Sequence, residues 1–229
     1  MTIAENIAAV RARMARAAQR CGRDPAEVAL VAVSKTHPAE MVRQACQAGV
    51  TTVGENYIQE ARDKIAALAD CPLSWHFIGH LQSNKAKYAV DLFDLIHGVD
   101  SLKLAREIDK QAAKFGKIQP ILIQVNISGE ATKSGTTEEA ALALVLEAGR
   151  LEHLQVRGLM TMPPFFDQPE RARPYFAALR RLRDRIRAEA IAGVDMAELS
   201  MGMTGDFEVA IEEGATLVRI GTAIFGPRE

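Results

Sequence analysis

Short apolar runs alternate with amphipathic segments along the chain. The runs are rich in valine, isoleucine and leucine and recur eight times, which is typical of buried parallel strands. Between them, apolar residues three and four positions apart predict helices. The predicted strands occupy residues 29–35, 51–56, 74–80, 92–99, 120–126, 156–161, 198–202 and 217–221.

Alternation of this kind requires parallel pairing with right-handed crossovers. Eight units in 229 residues predict an α/β fold, a closed (β/α)8 or TIM barrel, built as one domain over residues 1–229. An open doubly wound sheet is the alternative, but it would need a glycine-rich turn after the first strand, and residues 34–38 contain no glycine. Ahead of the barrel, Thr2 and Glu5 have capping-box spacing and predict an extra N-terminal helix.

Composition excludes several partners and compartments. The formal net charge is −1, from 28 basic and 29 acidic residues, so neither nucleic acid nor an acidic membrane surface is expected as a partner. Seven arginines within residues 171–187 are interleaved with acidic residues, which predicts a solvated helix face. Three widely spaced cysteines suit a reducing compartment and argue against a disulfide framework or a metal site. With neither a secretory signal nor an apolar run of membrane-spanning length, we expect a cytoplasmic protein.

Lys35 is the first candidate for chemistry. It stands at or just past the end of the first strand, where a barrel of this kind has its functional site. Desolvation there would lower the pKa of the ammonium and make the neutral amine a nucleophile for carbonyl carbons. A solvated lysine that merely ends the strand is the alternative at this point.

Two loops rich in small residues, 200–206 and 219–226, follow the seventh and eighth strands. Such loops leave backbone N–H groups uncovered and are the usual phosphate site of a TIM barrel. In a closed barrel the eighth strand lies beside the first, so the phosphate site and Lys35 would be neighbours. A ligand with both an aldehyde and a phosphate satisfies both features, and pyridoxal 5′-phosphate is such a ligand.

Arg219 adds a permanent cation to this edge of the barrel. A guanidinium only donates hydrogen bonds, so an arginine facing a pyridine nitrogen would keep that nitrogen unprotonated and weaken the ring as an electron sink. The alternative is an ion pair between Arg219 and a neighbouring carboxylate such as Glu55.

Six motifs at strand ends resemble the pyridoxal phosphate homeostasis protein family, which is also described as alanine racemase N-terminal-domain-like. They are Ala32-Val-Ser-Lys35, Gly54-Glu-Asn-Tyr57, His76-Phe-Ile-Gly-His-Leu-Gln-Ser-Asn-Lys85, Gly158-Leu-Met-Thr-Met162, Leu199-Ser-Met-Gly-Met203 and Val218-Arg-Ile-Gly-Thr-Ala-Ile-Phe-Gly226. The resemblance runs from about Val28 to the C-terminus. One departure is Thr204, where the family pattern has serine.

The resemblance implies a fold-type III barrel that binds pyridoxal 5′-phosphate. It implies an internal aldimine on Lys35, with Arg219 facing the pyridine nitrogen and Asn56 near the ring. It places four residues around the phosphate, namely Ser200, Gly202, Gly221 and Thr222, and Met201 between two of them is included among the cofactor-binding residues. It implies no catalytic and no metal-binding residue.

The resemblance further implies a monomeric protein that carries or buffers the cofactor, with apo pyridoxal-dependent enzymes as its candidate partners. Two enzymatic alternatives stay open, an amino-acid racemase related to alanine racemase and an aldolase-like barrel that uses Lys35 without a cofactor. Racemisation needs one base on each face of the α-carbon. By resemblance, alanine racemase takes its second base, a tyrosine, from an added β domain of a partner subunit. Only Lys35 can be named here, because none of Tyr57, Tyr88 and Tyr175 lies in a segment that matches that tyrosine and the chain ends soon after the eighth strand. We therefore expect no substantial turnover.

Overall fold

The computed structural model describes residues 1–130 and 132–227 and contains eight parallel strands closed into a barrel. Each strand pairs with the next one along the chain, and β8 pairs with β1 in a register that sets Val31 beside Arg219. The barrel prediction is thus confirmed, and the open-sheet alternative is wrong. The strands are β1 Ala29–Val33, β2 Thr52–Glu55, β3 Ser74–Phe77, β4 Leu95–Val99, β5 Gln119–Gln124, β6 Leu154–Met160, β7 Val194–Ser200 and β8 Leu217–Ile220.

Helices follow the strands and cover the outside of the barrel. They are α1 Ile3–Arg20, α2 Ala39–Gln47, α3 Ile58–Ala67, α4 Ala86–Leu92, α5 Leu102–Lys114, α6 Glu138–Ala148, α7 Arg173–Ala188, α8 Phe207–Glu212 and α9 Thr222–Phe225. None of the helices in the described part of the chain has the length and apolar character needed to cross a bilayer.

The extra N-terminal helix, α1, begins at the predicted capping box, in which Thr2 and Glu5 each accept from the other's backbone N–H. Its buried face packs against α8 and α9, the helices on either side of β8 in the chain. The Nδ2 amide of Asn6 donates to the carbonyl of Ile224 at 2.9 Å, which ties α1 to the segment that follows β8.

The arginine-rich helix α7 forms ion pairs along its surface. Arg173 contacts Glu170, Glu212 and Glu213, and Arg180 contacts Glu213 as well. These pairs neutralise much of the positive charge locally, in keeping with the solvated face expected from the sequence.

The barrel interior combines an apolar layer with a short polar chain. The apolar layer is formed by Val31, Leu95, Leu122, Met160 and Leu217. The polar chain runs from Ser200 to His97 and on to His76: His97 Nδ1 lies 2.9 Å from Ser200 Oγ, and His97 Nε2 lies 3.0 Å from His76 Nδ1. Burial lowers the pKa of His76 to about 4 and that of His97 well below its ordinary range, so both rings are neutral at neutral pH.

We predict that these two histidines make the fold sensitive to acid. The unfolded chain takes up their protons near the ordinary pKa of 6.5, whereas folded His76 does so only near 4, so stability falls as the pH falls between these values. Each buried histidine contributes up to about 1.4 kcal/mol per pH unit in this range. Denaturant unfolding at several pH values should show a shallower slope for His97→Gln than for wild type. His80→Gln, which changes an exposed histidine, is the control, and equal slopes for wild type and His97→Gln would contradict the prediction.

Candidate functional site

A cavity of about 260 Å³ opens at the carboxyl ends of the strands, close to the lower end of the range usual for small-molecule sites. Five of the eight residues singled out in the sequence line it: Lys35, Asn56, Arg219, Gly221 and Thr222. Arg219 lies on β8, whereas Lys35, Asn56 and Gly221 follow the ends of β1, β2 and β8, and Thr222 begins α9. Closure of the barrel between β8 and β1 brings the beginning and the end of the chain to this one place.

Lys35 lies two residues beyond β1, in a turn from Ser34 to His37. The turn is closed by the N–H of His37, which donates to the carbonyl of Ser34 at 3.0 Å. Thr36 has a φ of 68°, in the left-handed region that a β-branched residue rarely adopts. A positive φ at the third residue is the mark of a type II turn, in which Lys35 is the second residue. The turn therefore fixes the backbone position from which the Lys35 side chain extends.

Three of the sequence-predicted residues, Ser200, Met201 and Gly202, are buried and do not line the cavity. Ser200 and Met201 are fully buried, and the N–H of Met201 donates to the carbonyl of Leu217. Gly202 has a φ of 90°, and a Cβ there would lie 2.5 Å from the Cβ of Ala210. Ser200 and Gly202 instead bind a lining residue, because the hydroxyl of Ser200 and the carbonyl of Gly202 accept from Arg219.

Four residues of the same loop line the cavity in their place, and they are Met203, Thr204, Gly205 and Asp206. The sequence places the end of β7 at Gly202, whereas the strand ends at Ser200, so the exposed part of the loop begins later than expected. Asp206 accepts from the N–H of Met203 at 2.6 Å, which closes the loop on itself. Burial raises the pKa of the Asp206 carboxyl.

An apolar part of the lining comes from the loop after β6 and consists of Met162, Pro164, Phe165 and Phe166. Phe166 stacks on Tyr175 with 5.8 Å between ring centroids, whereas Phe165 is 85% exposed at the mouth of the cavity. Sequence reasoning missed this part of the lining. The signal that could have found it is an apolar run directly after a strand end, where a solvated loop is normally polar.

Arg219 lies at the bottom of the cavity and is almost fully buried. Its Nη1 donates to Ser200 Oγ and its Nη2 donates to the carbonyl of Thr161 at 3.0 Å. Burial lowers its pKa to about 10, which leaves the guanidinium charged at neutral pH. The suggested ion pair with Glu55 is wrong, because the carboxylate of Glu55 bonds to Lys64 Nζ at 2.7 Å.

The lining residues fit a ligand with an aldehyde, a flat ring and a phosphate. Lys35 supplies a primary amine, and the loops after β7 and β8 supply small residues and the first turn of α9. A Cβ on Gly221 would lie 3.2 Å from the carbonyl oxygen of Val33, so a larger residue there would crowd the bottom of the cavity. Asn56 Oδ1 is buried and has no hydrogen-bond partner among the described residues, which leaves an acceptor ready for a ligand.

Known proteins resemble this chain over its full length. Residues 6–229 match the family described as alanine racemase, N-terminal domain. A pyridoxal phosphate homeostasis protein from Pseudomonas aeruginosa is 50% identical over 228 residues, which cover all of this chain and 96% of the relative. The solved structure of PipY from Synechococcus elongatus PCC7942 with PLP bound is 38% identical, with a TM-score of 0.86, and the match covers 98% of this chain and 100% of PipY.

An alanine racemase from Clostridium difficile shares the fold at a TM-score of 0.72 and 14% identity, over 93% of this chain and 56% of the racemase. A likeness at that identity extends to the barrel and not to the chemistry. The chain therefore belongs to the alanine racemase N-terminal-domain family and, within it, to the pyridoxal phosphate homeostasis proteins.

Proposed function

We propose that this protein binds pyridoxal 5′-phosphate through Lys35 and carries or buffers it for other proteins. The observation that supports this most directly is the cavity itself, whose lining combines Lys35, the buried Arg219 and two small-residue loops. Bound there, the cofactor supplies an aldehyde that condenses with a primary amine and a phosphate that accepts several hydrogen bonds. The names of the relatives and the cofactor in PipY agree with this proposal.

We assign the phosphate to the β8 side of the cavity. Thr222 offers a hydroxyl and Gly221 allows close approach of the backbone at the start of α9. The neighbouring loop from β7 completes this side, and Met201 and Gly202 act as its support. Ser200 acts indirectly, because its hydroxyl accepts from Arg219 and does not line the cavity.

The ring lies between Arg219 and Asn56 in this proposal. Arg219 has five donors, of which the hydrogen bonds found among the described residues use two, so others can face a pyridine nitrogen. A permanently charged donor at that nitrogen keeps it unprotonated. The ring then withdraws electrons less strongly, which suits storage of the cofactor better than amino-acid turnover.

A carrier role fits the cavity better than racemisation does. Among the described residues that line it, the ionisable side chains are Lys35, Asp206 and Arg219. Asp206 is engaged by the N–H of Met203, and Arg219 is a poor base, so a second proton acceptor for the α-carbon is hard to assign. All proposed contacts come from one chain, so a monomer suffices. We place this carrier in the cytoplasm, with apo pyridoxal-dependent enzymes as the recipients.

Covalent attachment to Lys35 is the first test. Borohydride treatment of the protein loaded with pyridoxal 5′-phosphate should fix a pyridoxyl group on Lys35 as a secondary amine, and peptide mass mapping locates it. Lys35→Ala should abolish the label, whereas Lys85→Ala, which changes a lysine of a separate neighbouring cavity, should retain it. Recovery of the label on Lys85 or Lys133 would refute the assignment.

Removal of the Thr222 hydroxyl tests the phosphate position. A hydrogen bond to a charged group is worth roughly 1.5–3 kcal/mol, so Thr222→Ala should raise the apparent dissociation constant of pyridoxal 5′-phosphate about ten-fold or more. Thr222→Ser keeps the hydroxyl and should stay near wild type in the same equilibrium dialysis. Unchanged affinity in Thr222→Ala would place the phosphate elsewhere.

Transfer and turnover separate a carrier from a racemase. Mixed with an apo pyridoxal-dependent enzyme, the loaded protein should restore that enzyme's activity, and a chiral assay on several amino acids should show negligible inversion. Racemisation at about 1 s⁻¹ or faster, together with no transfer, would make this protein a racemase.

A further inference from the structure

An ion cluster of Glu55, Glu60 and Lys64, here called the Lys64 cluster, lies next to the Lys35 turn and outside the cavity lining. Lys64 is on α3 and only 5% exposed, although lysine is seldom buried. Its Nζ donates to Glu55 Oε1 at 2.7 Å, to Glu60 Oε1 at 2.6 Å and to the carbonyl of Ser34 at 2.6 Å. An ammonium has three N–H donors, so each of them has a partner here.

The cluster holds the Lys35 turn on both sides of the lysine. On the N-terminal side, the hydroxyl of Ser34 donates to Glu55 Oε1 and the carbonyl of Ser34 accepts from Lys64. On the C-terminal side, the N–H of Thr36 donates to Glu60 Oε1. That N–H belongs to the peptide that joins Lys35 to Thr36, so Glu60 fixes the orientation of this peptide.

The conformation that the cluster holds is an unfavourable one for the sequence. Thr36 has a φ of 68°, at a turn position where glycine is usual. The alternative type I turn flips the peptide between Lys35 and Thr36 and gives Thr36 a negative φ. Contacts from outside the turn must therefore favour the observed form. Glu60 does so by accepting from the Thr36 N–H, and Lys64 holds the Glu60 carboxylate in place for that bond.

The cluster also concentrates charge where water is excluded. Glu55 is fully buried, and its Oε2 has no hydrogen-bond partner among the described residues. Desolvation raises the pKa of Glu55, while Lys64 and Ser34 counteract that rise. Burying the charged groups of this cluster costs desolvation free energy, and none of them lines the cavity. Their hydrogen bonds to the Lys35 turn give a structural reason for their burial.

We propose that the Lys64 cluster is a positioning device for Lys35, which holds the turn in the conformation that directs Nζ toward the aldehyde of the cofactor. The proposal rests on the function proposed above. Attachment forms a bond from Nζ to the aldehyde carbon while the carbonyl oxygen leaves as water. The cluster touches neither the ring site nor the phosphate site, so it governs attachment and not occupancy of the cavity.

Two ligands separate attachment from occupancy. Pyridoxal 5′-phosphate can attach to Lys35, whereas pyridoxine 5′-phosphate has the same ring and phosphate with an alcohol in place of the aldehyde. The attachment rate is measured by visible absorbance and borohydride trapping, and pyridoxine 5′-phosphate affinity by calorimetry. The variants are Glu60→Ala, which removes the acceptor of the Thr36 N–H, and Lys64→Met, which removes the cation but keeps much of its bulk. Asp70→Asn is the matched control, because it breaks an ion pair with Arg43 away from the turn.

We expect Glu60→Ala and Lys64→Met to slow attachment at least about ten-fold, as misplaced reacting groups do. Their affinity for pyridoxine 5′-phosphate should stay within about two-fold of wild type. Glu60→Gln, which retains an acceptor oxygen, should recover part of the rate. Thr36→Gly in the Glu60→Ala background should also recover part of it, because glycine adopts a positive φ without strain.

Unchanged attachment in the folded Glu60→Ala protein would overturn the proposal, and so would an equal loss of both ligands, which indicates general disorder of the site. If Lys64→Met does not fold, Glu60→Ala and its two rescue variants decide the matter, since Glu60 is partly exposed. Failure of wild type to label Lys35 would refute the proposed function. Normal labelling of wild type and all variants would refute this proposal alone.

Discussion

The structure depends on closure of the barrel between its last strand and its first. The β8–β1 pairing sets Arg219 beside Val31. As a result, Arg219 and Lys35 line the same cavity. The two side chains are far apart in sequence, and only a closed sheet makes them neighbours. A parallel sheet also requires both strands to end at the same edge, which is why an amine and a small-residue loop face the same space.

The position of Arg219 in the closed barrel costs desolvation free energy, because its charged guanidinium is almost fully buried. Arg219 is kept there by Ser200 and by the carbonyl of Thr161, and the histidines behind Ser200 continue the polar chain into the barrel. The interior is thus not a uniform apolar core. A polar column passes through one side of it, and each described link has a hydrogen-bond partner, as buried polar groups require.

Much of the fold could be predicted from the sequence because its signals are local. The eighth strand is predicted at 217–221 and occupies Leu217–Ile220, and the capping box of α1 is present as expected. The sequence does not predict the first four residues of β7, since the polar Asp195 interrupts the apolar run and Asp195 and Ala197 are both exposed.

The site was predictable only in part, because side-chain partners depend on contacts between distant segments. Arg219 lies on β8 and the other four, Lys35, Asn56, Gly221 and Thr222, follow strand ends, and all five line one cavity. The burial of Lys64 could not be predicted from the sequence, because a lysine on a helix is normally solvated. Its burial depends on contacts with β2 and the Lys35 turn, which are distant in sequence.

The hydroxyl of Ser200 has a consequence for proton positions deep in the barrel. Arg219 can only donate, so Ser200 Oγ accepts from it, and the serine proton then finds its acceptor at His97 Nδ1. His97 must in turn hold its own proton on Nε2 and give it to His76 Nδ1, which leaves the proton of His76 on Nε2. The fixed charge of Arg219 thereby selects one tautomer for each histidine ring. Every hydrogen bond in this polar chain is donated in the same direction, from the cavity toward His76.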